Sequence, residues 1–307
     1  MFLVEFILQP IFSGLVLGAI YALVAVGFSI TFSTTATFNF GQGEFLAVGT
    51  FAGLSALLLA SGGADAASRG FAENFALFGL SALVAGLVAG ALGIVVYFIA
   101  VRPFLGKPGL SWVLSTLGLG IILQNAALAI WGATTQNFPS PFGDTLLRIG
   151  GAGVRAHEVF VIVVCLVVVA ALDFMMTRTR LGQAVRAVAF SHTASLLMGI
   201  NVTAVVIFAF VLSSGLAGVA GVLVAPLTSA SVFMGLTLAL KGFSAAILGG
   251  LTSPRGCVIG AFIIGLAEAS IGAWRADLRD IAVFGLIILV LCIRPKGLFG
   301  KTLVEKV

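Results

Sequence analysis

The chain of 307 residues is 60% hydrophobic and only 9% charged, with a mean hydropathy of +1.22, whereas soluble domains carry roughly a quarter charged residues. A surface made from this composition would not stay in water, so the bilayer is the solvent. The net charge of +5 and pI near 9.5 do not point to nucleic acid, because Lys and Arg sit in short links between apolar runs and form no basic face; they read as topology determinants.

In chain order, the start Met1-Phe2-Leu3-Val4-Glu5 lacks a basic region ahead of its apolar run, and is expected to be retained sequence rather than a signal peptide. Long apolar runs predict spanning helices at Ile11–Phe32, Phe75–Val101, Ser111–Trp131, Val159–Met175, Val202–Val224 and Ile281–Ile293. Shorter or glycine-broken runs at Gly43–Ala60, Gly235–Leu251 and Gly256–Ala273 either cross or dip in and return. The fold class that follows is an all-α polytopic membrane protein, a single transmembrane domain over 1–307, built as a bundle of about 8–9 transmembrane segments including short or broken helices.

Basic links place Arg102 and Lys107, then Arg178, Arg180 and Arg186, then Arg294, Lys296, Lys301 and Lys306 on the cytoplasmic side. The mixed-charge links, Asp65–Arg69–Glu73 and Gly132 to Glu158 (with Asp144, Arg148 and Arg155), are expected to face outward. The N-terminus is then outside if every short segment crosses, and inside if one re-enters.

Glycine pairs at Gly14/Gly18, Gly86/Gly90 and Gly256/Gly260, with Gly215, Gly218 and Gly221, read as helix-packing spacings. A weak similarity between Glu44–Gly49 and Lys241–Gly249, each a charge, a Phe, small residues and a Gly, marks a candidate internal repeat of broken helices; chance resemblance of two Gly/Ala-rich stretches explains it equally well. Cys165, Cys257 and Cys292 lack metal-ligand spacing and read as small buried hydrophobes.

Enzyme chemistry finds little support. His157 and His192 are the two histidines, both in expected loops, and no paired-Cys, H-x-x-x-H or nucleophile-elbow pattern occurs. Gly300-Lys301-Thr302 matches the end of a phosphate-binding loop, but Pro295 stands where its first glycine belongs. Any ATP used must be hydrolysed by another chain.

Intramembrane polar groups are the better guide, because a charge near the bilayer centre costs a few kcal/mol and faces a cavity or a partner. Glu44, Lys241 and Glu268 qualify. Glu44 follows Asn39-Phe40-Gly41-Gln42-Gly43, a polar, glycine-rich stretch that would unwind a helix, and Gln124 and Asn125 sit together inside another apolar run. Asn39, Gln42, Glu44, Gln124, Asn125 and Lys241 are therefore the candidate translocation-path residues, with Glu44 and Lys241 a candidate pair; the competing reading is that they hold broken helices in shape. Glu268 is expected nearer an interface.

The stretch Arg178 to Asn201 alternates Arg178, Arg180 and Arg186 with Leu181, Val185, Val188, Ala194, Leu197 and Met198, an amphipathic helix ending at Gly199. It either lies on anionic lipid or inserts into a groove on a soluble partner.

Across nearly the whole chain the residues resemble the permeases of branched-chain amino acid ABC importers, most closely their H-type (LivH-like) subunit. The resemblance runs through Gly18-Ala19-Ile20-Tyr21-Ala22-Leu23, Asn39 to Glu44, Thr179 to Ala187, Leu197-Met198-Gly199-Ile200-Asn201, Lys241-Gly242-Phe243, Ala246 to Gly250, Gly256 to Gly260, Gly265 to Glu268 and Arg294 to Gly300. It implies a multi-pass permease of the bacterial inner membrane with a cytoplasmic C-terminus, carrying branched-chain amino acids and binding no cofactor itself. Its implied partners are a second related permease, two cytoplasmic ATP-binding subunits that hydrolyse ATP, and a periplasmic amino-acid-binding protein. It also makes 178–201 a cytoplasmic coupling segment, with Arg180, Leu181, Gly182, Arg186, Met198, Gly199 and Ile200 at the ATPase contact. Related permeases carry urea, short amides or other amino acids, and an ion-driven transporter using Glu44 and Glu268 is the rival class. Three positions depart from the family pattern: Phe190 where a polar or acidic residue is usual, Gly41 where Ala is common, and Arg255 beside the turn before Gly256.

Overall fold

A computed structural model of the protein describes residues 2–62, 69–104, 111–143, 145–149, 152–295 and 297–300. The expectations for Asp65, Lys107, Asp144, Lys296, Lys301, Thr302 and Lys306 fall outside them. The described residues form a helical bundle: α1 (Phe2–Thr35), α2 (Gln42–Ala60), α3 (Phe71–Val96, prolonged by a π turn and a 3-10 turn to Phe104), α4 (Ser111–Trp131), α5 (Ala156–Arg178), α6 (Arg180–Phe190), α7 (His192–Leu197), α8 (Val202–Thr228), α9 (Met234–Gly249), α10 (Pro254–Trp274) and α11 (Arg279–Ile293). Seven of these (α1, α2, α3, α4, α5, α8 and α10) are long and apolar enough to cross a membrane, and α9 is a shorter apolar helix. The all-α polytopic class read from the run lengths is the one observed.

Helix α1 is the axle. Its 34 residues make a rod about 50 Å long, and every side chain from Ala19 to Val26 is buried, as expected of a helix that is apolar all round. Lipid tails are as apolar as these side chains, so association rests on close packing rather than on the hydrophobic effect. Glycines supply the closeness. A Cβ on Gly14 would lie 2.8 Å from Leu266 Cα, and one on Gly43 2.6 Å from the Gly235 carbonyl oxygen, so α1 meets α10, and α2 meets α9, nearly backbone to backbone. The pairs Gly86/Gly90 and Gly256/Gly260 likewise face α8 and α9, and the packing reading of these spacings holds.

The bundle has two distinct ends. At one, Gln9 Nε2 near the start of α1 donates to the Gly153 carbonyl (3.2 Å), and residues after α4 and α8 form a backbone bridge, Gln136 to Ala230. At the other, His192 Nε2 donates to the carbonyl of Thr34 in the last turn of α1 (2.6 Å), and the amides of Leu298 and Phe299 donate to the carbonyls of Leu248 and Gly249 at the end of α9. The chain thus starts at the first end and runs back and forth through α1, α2, α3, α4, α5, α8, α9, α10 and α11, so that residues 297–300 lie at the second. All three short segments are helices: α2 and α10 are long enough to cross a membrane, and α9 is the shorter one of 16 residues.

Three features differ from the sequence reading. A two-stranded antiparallel hairpin, β1 (Leu146–Ile149) and β2 (Ala152–Arg155), pairs Leu146 with Arg155 in what was expected to be plain loop. The amphipathic stretch after Arg178 is two helices rather than one. Ser191 breaks it, with φ −161° and a side chain that accepts from the Ala194 amide, an N-cap that starts a new helix in a new direction. Cys165 and Cys257 are buried, but Cys292 is exposed on α11.

Candidate functional site

The break between α1 and α2 gathers most of the polar side chains singled out in the sequence. After Thr35 the chain turns at Ala36, whose φ of +53° ends the helix, and the hydroxyls of Thr35 and Thr37 bond each other (2.8 Å). Asn39 Oδ1 accepts from the Gly41 amide (3.1 Å). Gln42 opens α2 and is locked to Ser213 of α8 twice: its Nε2 donates to the Ser213 carbonyl (3.0 Å) and its Oε1 accepts from the Ser213 hydroxyl (3.2 Å). A Cβ on Gly27 would lie 2.8 Å from Gln42 Nε2, so α2 begins eight residues back along α1. That is about 12 Å inside the bundle.

Two buried polar atoms at this break have no partner among the described residues, Asn39 Nδ2 and Glu44 Oε2. Glu44 is 7% exposed and sits in the first turn of α2, where helix amides favour negative charge. Buried polar groups are ordinarily paired, so an amide donor and a carboxylate acceptor left open at one break form a site able to meet a polar solute. Gly120 of α4 packs here: a Cβ on it would lie 3.5 Å from Gly41 Cα and 3.8 Å from Glu44 Cγ. Gln124, half-buried and one turn on from Gly120, shares that face of α4. Asn125 does not; it is exposed and donates to the Ile121 carbonyl one turn back (2.8 Å).

Aromatic rings lie beside these polar groups. Phe38 stacks on Phe32 (4.7 Å between centroids) and meets Phe243 of α9 (5.2 Å) and Trp112 of α4 (5.9 Å), while Phe40 also meets Phe243 (5.8 Å). Sequence reasoning singled out the polar members and missed the rings, which look like any apolar residue in so apolar a chain. Phe-Asn-Phe before the glycine-rich stretch was the available signal.

Lys241 belongs to a different constellation. Its Nζ bonds Glu268 Oε1 (2.6 Å) and lies 3.1 Å from Asp280 Oδ1, and Tyr21 Oη donates to Glu268 Oε2 (2.8 Å). The expected pair between Glu44 and Lys241 is therefore not formed, because the lysine is taken by acids of α10 and α11. Glu268, placed by the sequence near an interface, is buried at the centre of this network. The helices that carry the two weakly similar segments meet at their starts, Gly43 of α2 on Gly235 of α9, outside the similar residues themselves.

The second exposed site is the elbow of α6 and α7. Thr179 caps α6 by accepting from the Gly182 amide (3.2 Å). At Gly182 a Cβ would fall 2.5 Å from Met176 Cα, so only glycine lets α6 fold back against α5. Val185 and Val188 face inward, and Leu181 and Arg186 outward. Phe190 (86% exposed), Leu197 (84%) and Met198 (83%) stand clear. The segment closes at Gly199 with φ +78° and an Ile200 amide donating to the Ser195 carbonyl (3.0 Å), a Schellman ending. His192 ties this elbow to Thr34, two residues before the α1–α2 break.

An apolar bundle with a polar, aromatic-lined break inside it, tied to an elbow that presents bare apolar side chains, defines a membrane transport subunit as a class. The sequence model of a family described as branched-chain amino acid transport system / permease component matches residues 10–291. The chain belongs to this family.

Among its relatives, the high-affinity branched-chain amino acid transport permease BraD of Pseudomonas aeruginosa is 32% identical over 310 residues, covering 98% of both chains. LivH of the corresponding system of Escherichia coli K12 is 30% identical over 309 residues, again 98% of both. The fructose import permease FruF of Bifidobacterium longum is 26% identical over 92% of this chain and 76% of its own. A solved structure of PsaBC from Streptococcus pneumoniae aligns over 93% of this chain and 87% of its own, with a TM-score of 0.43 and 14% identity; the family assignment rests on the sequence.

Proposed function

We propose that the chain is one of two related permeases in an ABC importer of the bacterial inner membrane and carries branched-chain, hydrophobic amino acids. Two cytoplasmic ATPases drive it, and a periplasmic binding protein delivers the solute. The open amide of Asn39 and carboxylate of Glu44 beside the rings of Phe38, Phe40 and Phe243 carry this reading. A zwitterion with an apolar side chain needs a polar contact for its head and an apolar one for its tail. Urea and short amides would leave the rings unused, and a sugar would ask for more hydrogen-bonding groups. The names of the relatives, BraD and LivH, support the same solute class.

The elbow is the proposed ATPase contact. Phe190, Leu197 and Met198 supply apolar knobs, and Arg180 and Arg186 a cationic rim, for a groove on a soluble partner. Closure of the ATPases would move the elbow, and His192 would pass that displacement to the end of α1, biasing the break at 36–41 between its inward-open and outward-open forms. Uptake of labelled leucine by the complex reconstituted with its ATPases, in competition with isoleucine, valine and urea, tests the solute class. Competition by isoleucine and valine but not by urea is expected. Uptake that persists without ATP and collapses with the proton gradient would reject the reading in favour of an ion-coupled carrier.

A further inference from the structure

At the elbow end a cavity of about 350 Å3 opens between α1, α5, α6 and the start of α10. It is separate from the α1–α2 break and is not used in the path proposed above. Its walls are apolar: Val26 and Ile30 of α1, Val169 and Leu172 of α5, Val185 of α6 and Val258 of α10. Val26 lies nine residues before the end of α1, so the cavity reaches about 13 Å into the bundle along the helix axes.

The mouth is polar and charged. Asp173 of α5 and Arg255 of α10 form a two-pronged ion pair across it, Nε to Oδ1 at 2.6 Å and Nη2 to Oδ2 at 2.9 Å. Arg186 of α6 stands on the same rim and has no acidic partner among the described residues. Both oxygens of Asp173 are committed to Arg255, so the rim offers cationic donors and no open carboxylate for an ammonium group. An apolar slot parallel to the helices, open at the level of the helix ends under one unpaired guanidinium, fits an acyl chain beneath an anionic headgroup. It does not fit a free zwitterionic amino acid.

We infer that this cavity binds an anionic phospholipid, with one acyl chain between α1 and α5 and the phosphate at Arg186 and Arg255. The bound chain touches α1, α5 and α6 at once, so it braces the elbow against the bundle. That consequence rests on the coupling role proposed for α6; the binding itself does not.

The test is lipid retention by the purified complex, read by native mass spectrometry after delipidation and titration with phosphatidylglycerol, phosphatidylcholine, inorganic phosphate or leucine. Expected is saturable retention of phosphatidylglycerol at least about tenfold tighter than of phosphatidylcholine, about 1.4 kcal/mol, with no competition from phosphate or leucine. Filling the slot from either wall, by Val26→Phe on α1 or Val169→Phe on α5, should abolish the preference in complexes that still elute as folded assemblies. Arg255→Gln should weaken phosphatidylglycerol and leave phosphatidylcholine unchanged. Equal retention of the two lipids, a preference untouched by both filling variants, or displacement by leucine or by phosphate alone would overturn the assignment. Failure of leucine transport with lipid retention intact would count against the transport reading and not against this site.

Discussion

At Glu44 a carboxylate is kept out of water with one oxygen unmatched by any donor among the described residues, a state that costs about 1–3 kcal/mol and persists only where something else uses it. If the solute supplies the missing partner, Glu44→Gln keeps the shape and removes the charge, and uptake should fall roughly tenfold, about 1.4 kcal/mol, at constant yield of folded complex. Parallel losses of complex and uptake would make Glu44 a structural residue. Lys241 should behave the other way. Removing one member of a buried ion pair costs about 3–5 kcal/mol where the other is left uncompensated. The exposed Asp280 stays beside Lys241 and offsets part of that, so Glu268→Ala should still lower the thermal midpoint of the detergent-solubilised complex, and the double change Lys241→Met with Glu268→Met should restore much of it. A double variant no more stable than the single one would show that the pair is not coupled. Both residues are legible in the sequence as charges too costly to be incidental. Their partners are not, because the acid that takes Lys241 lies 27 residues on, and a charge in an apolar run shows that it must be satisfied without showing from which helix.

Between helices, the His192–Thr34 bond is the contact proposed to carry elbow motion to the end of α1. The imidazole Nε2 donates to a backbone carbonyl, so His192→Ala removes the tie while His192→Gln can remake it. In the reconstituted importer, His192→Ala should keep ATP hydrolysis and lower the leucine moved per ATP severalfold, with the glutamine variant intermediate or normal. An alanine variant with unaltered stoichiometry would place the transmission elsewhere. Gly199→Arg is a second test, since its left-handed φ forbids an easy substitution and its surface is open; solute-stimulated hydrolysis should fall while membrane insertion persists. The amphipathic pattern and its glycine stop are visible in the sequence. The break at Ser191 is not, because Val188 and Leu197 read as parts of one apolar face, and only the capping geometry shows that they belong to two helices.

Across the whole molecule, the question that run lengths leave open is whether the chain begins and ends on the same side. Counting apolar stretches gives eight or nine because a 16-residue helix such as α9 spans about 24 Å, short of the roughly 30 Å core, and length alone does not separate a crossing from a dip. Contacts at the two ends decide it: Gln9 with Gly153 at one, Leu298 with Leu248 at the other. Helix α5 puts the hairpin and the elbow at opposite ends of the bundle, and the arginines of the elbow predict a cytoplasmic position for it. With Cys292, the exposed native thiol, replaced by serine, a cysteine at Leu146 should react with a membrane-impermeant maleimide once the outer membrane is opened. A cysteine at Leu197 should react only after the inner membrane is broken. Labelling of both positions from one side would mean that α5, the one membrane-length helix between them, does not cross the membrane, against its 23 largely apolar residues.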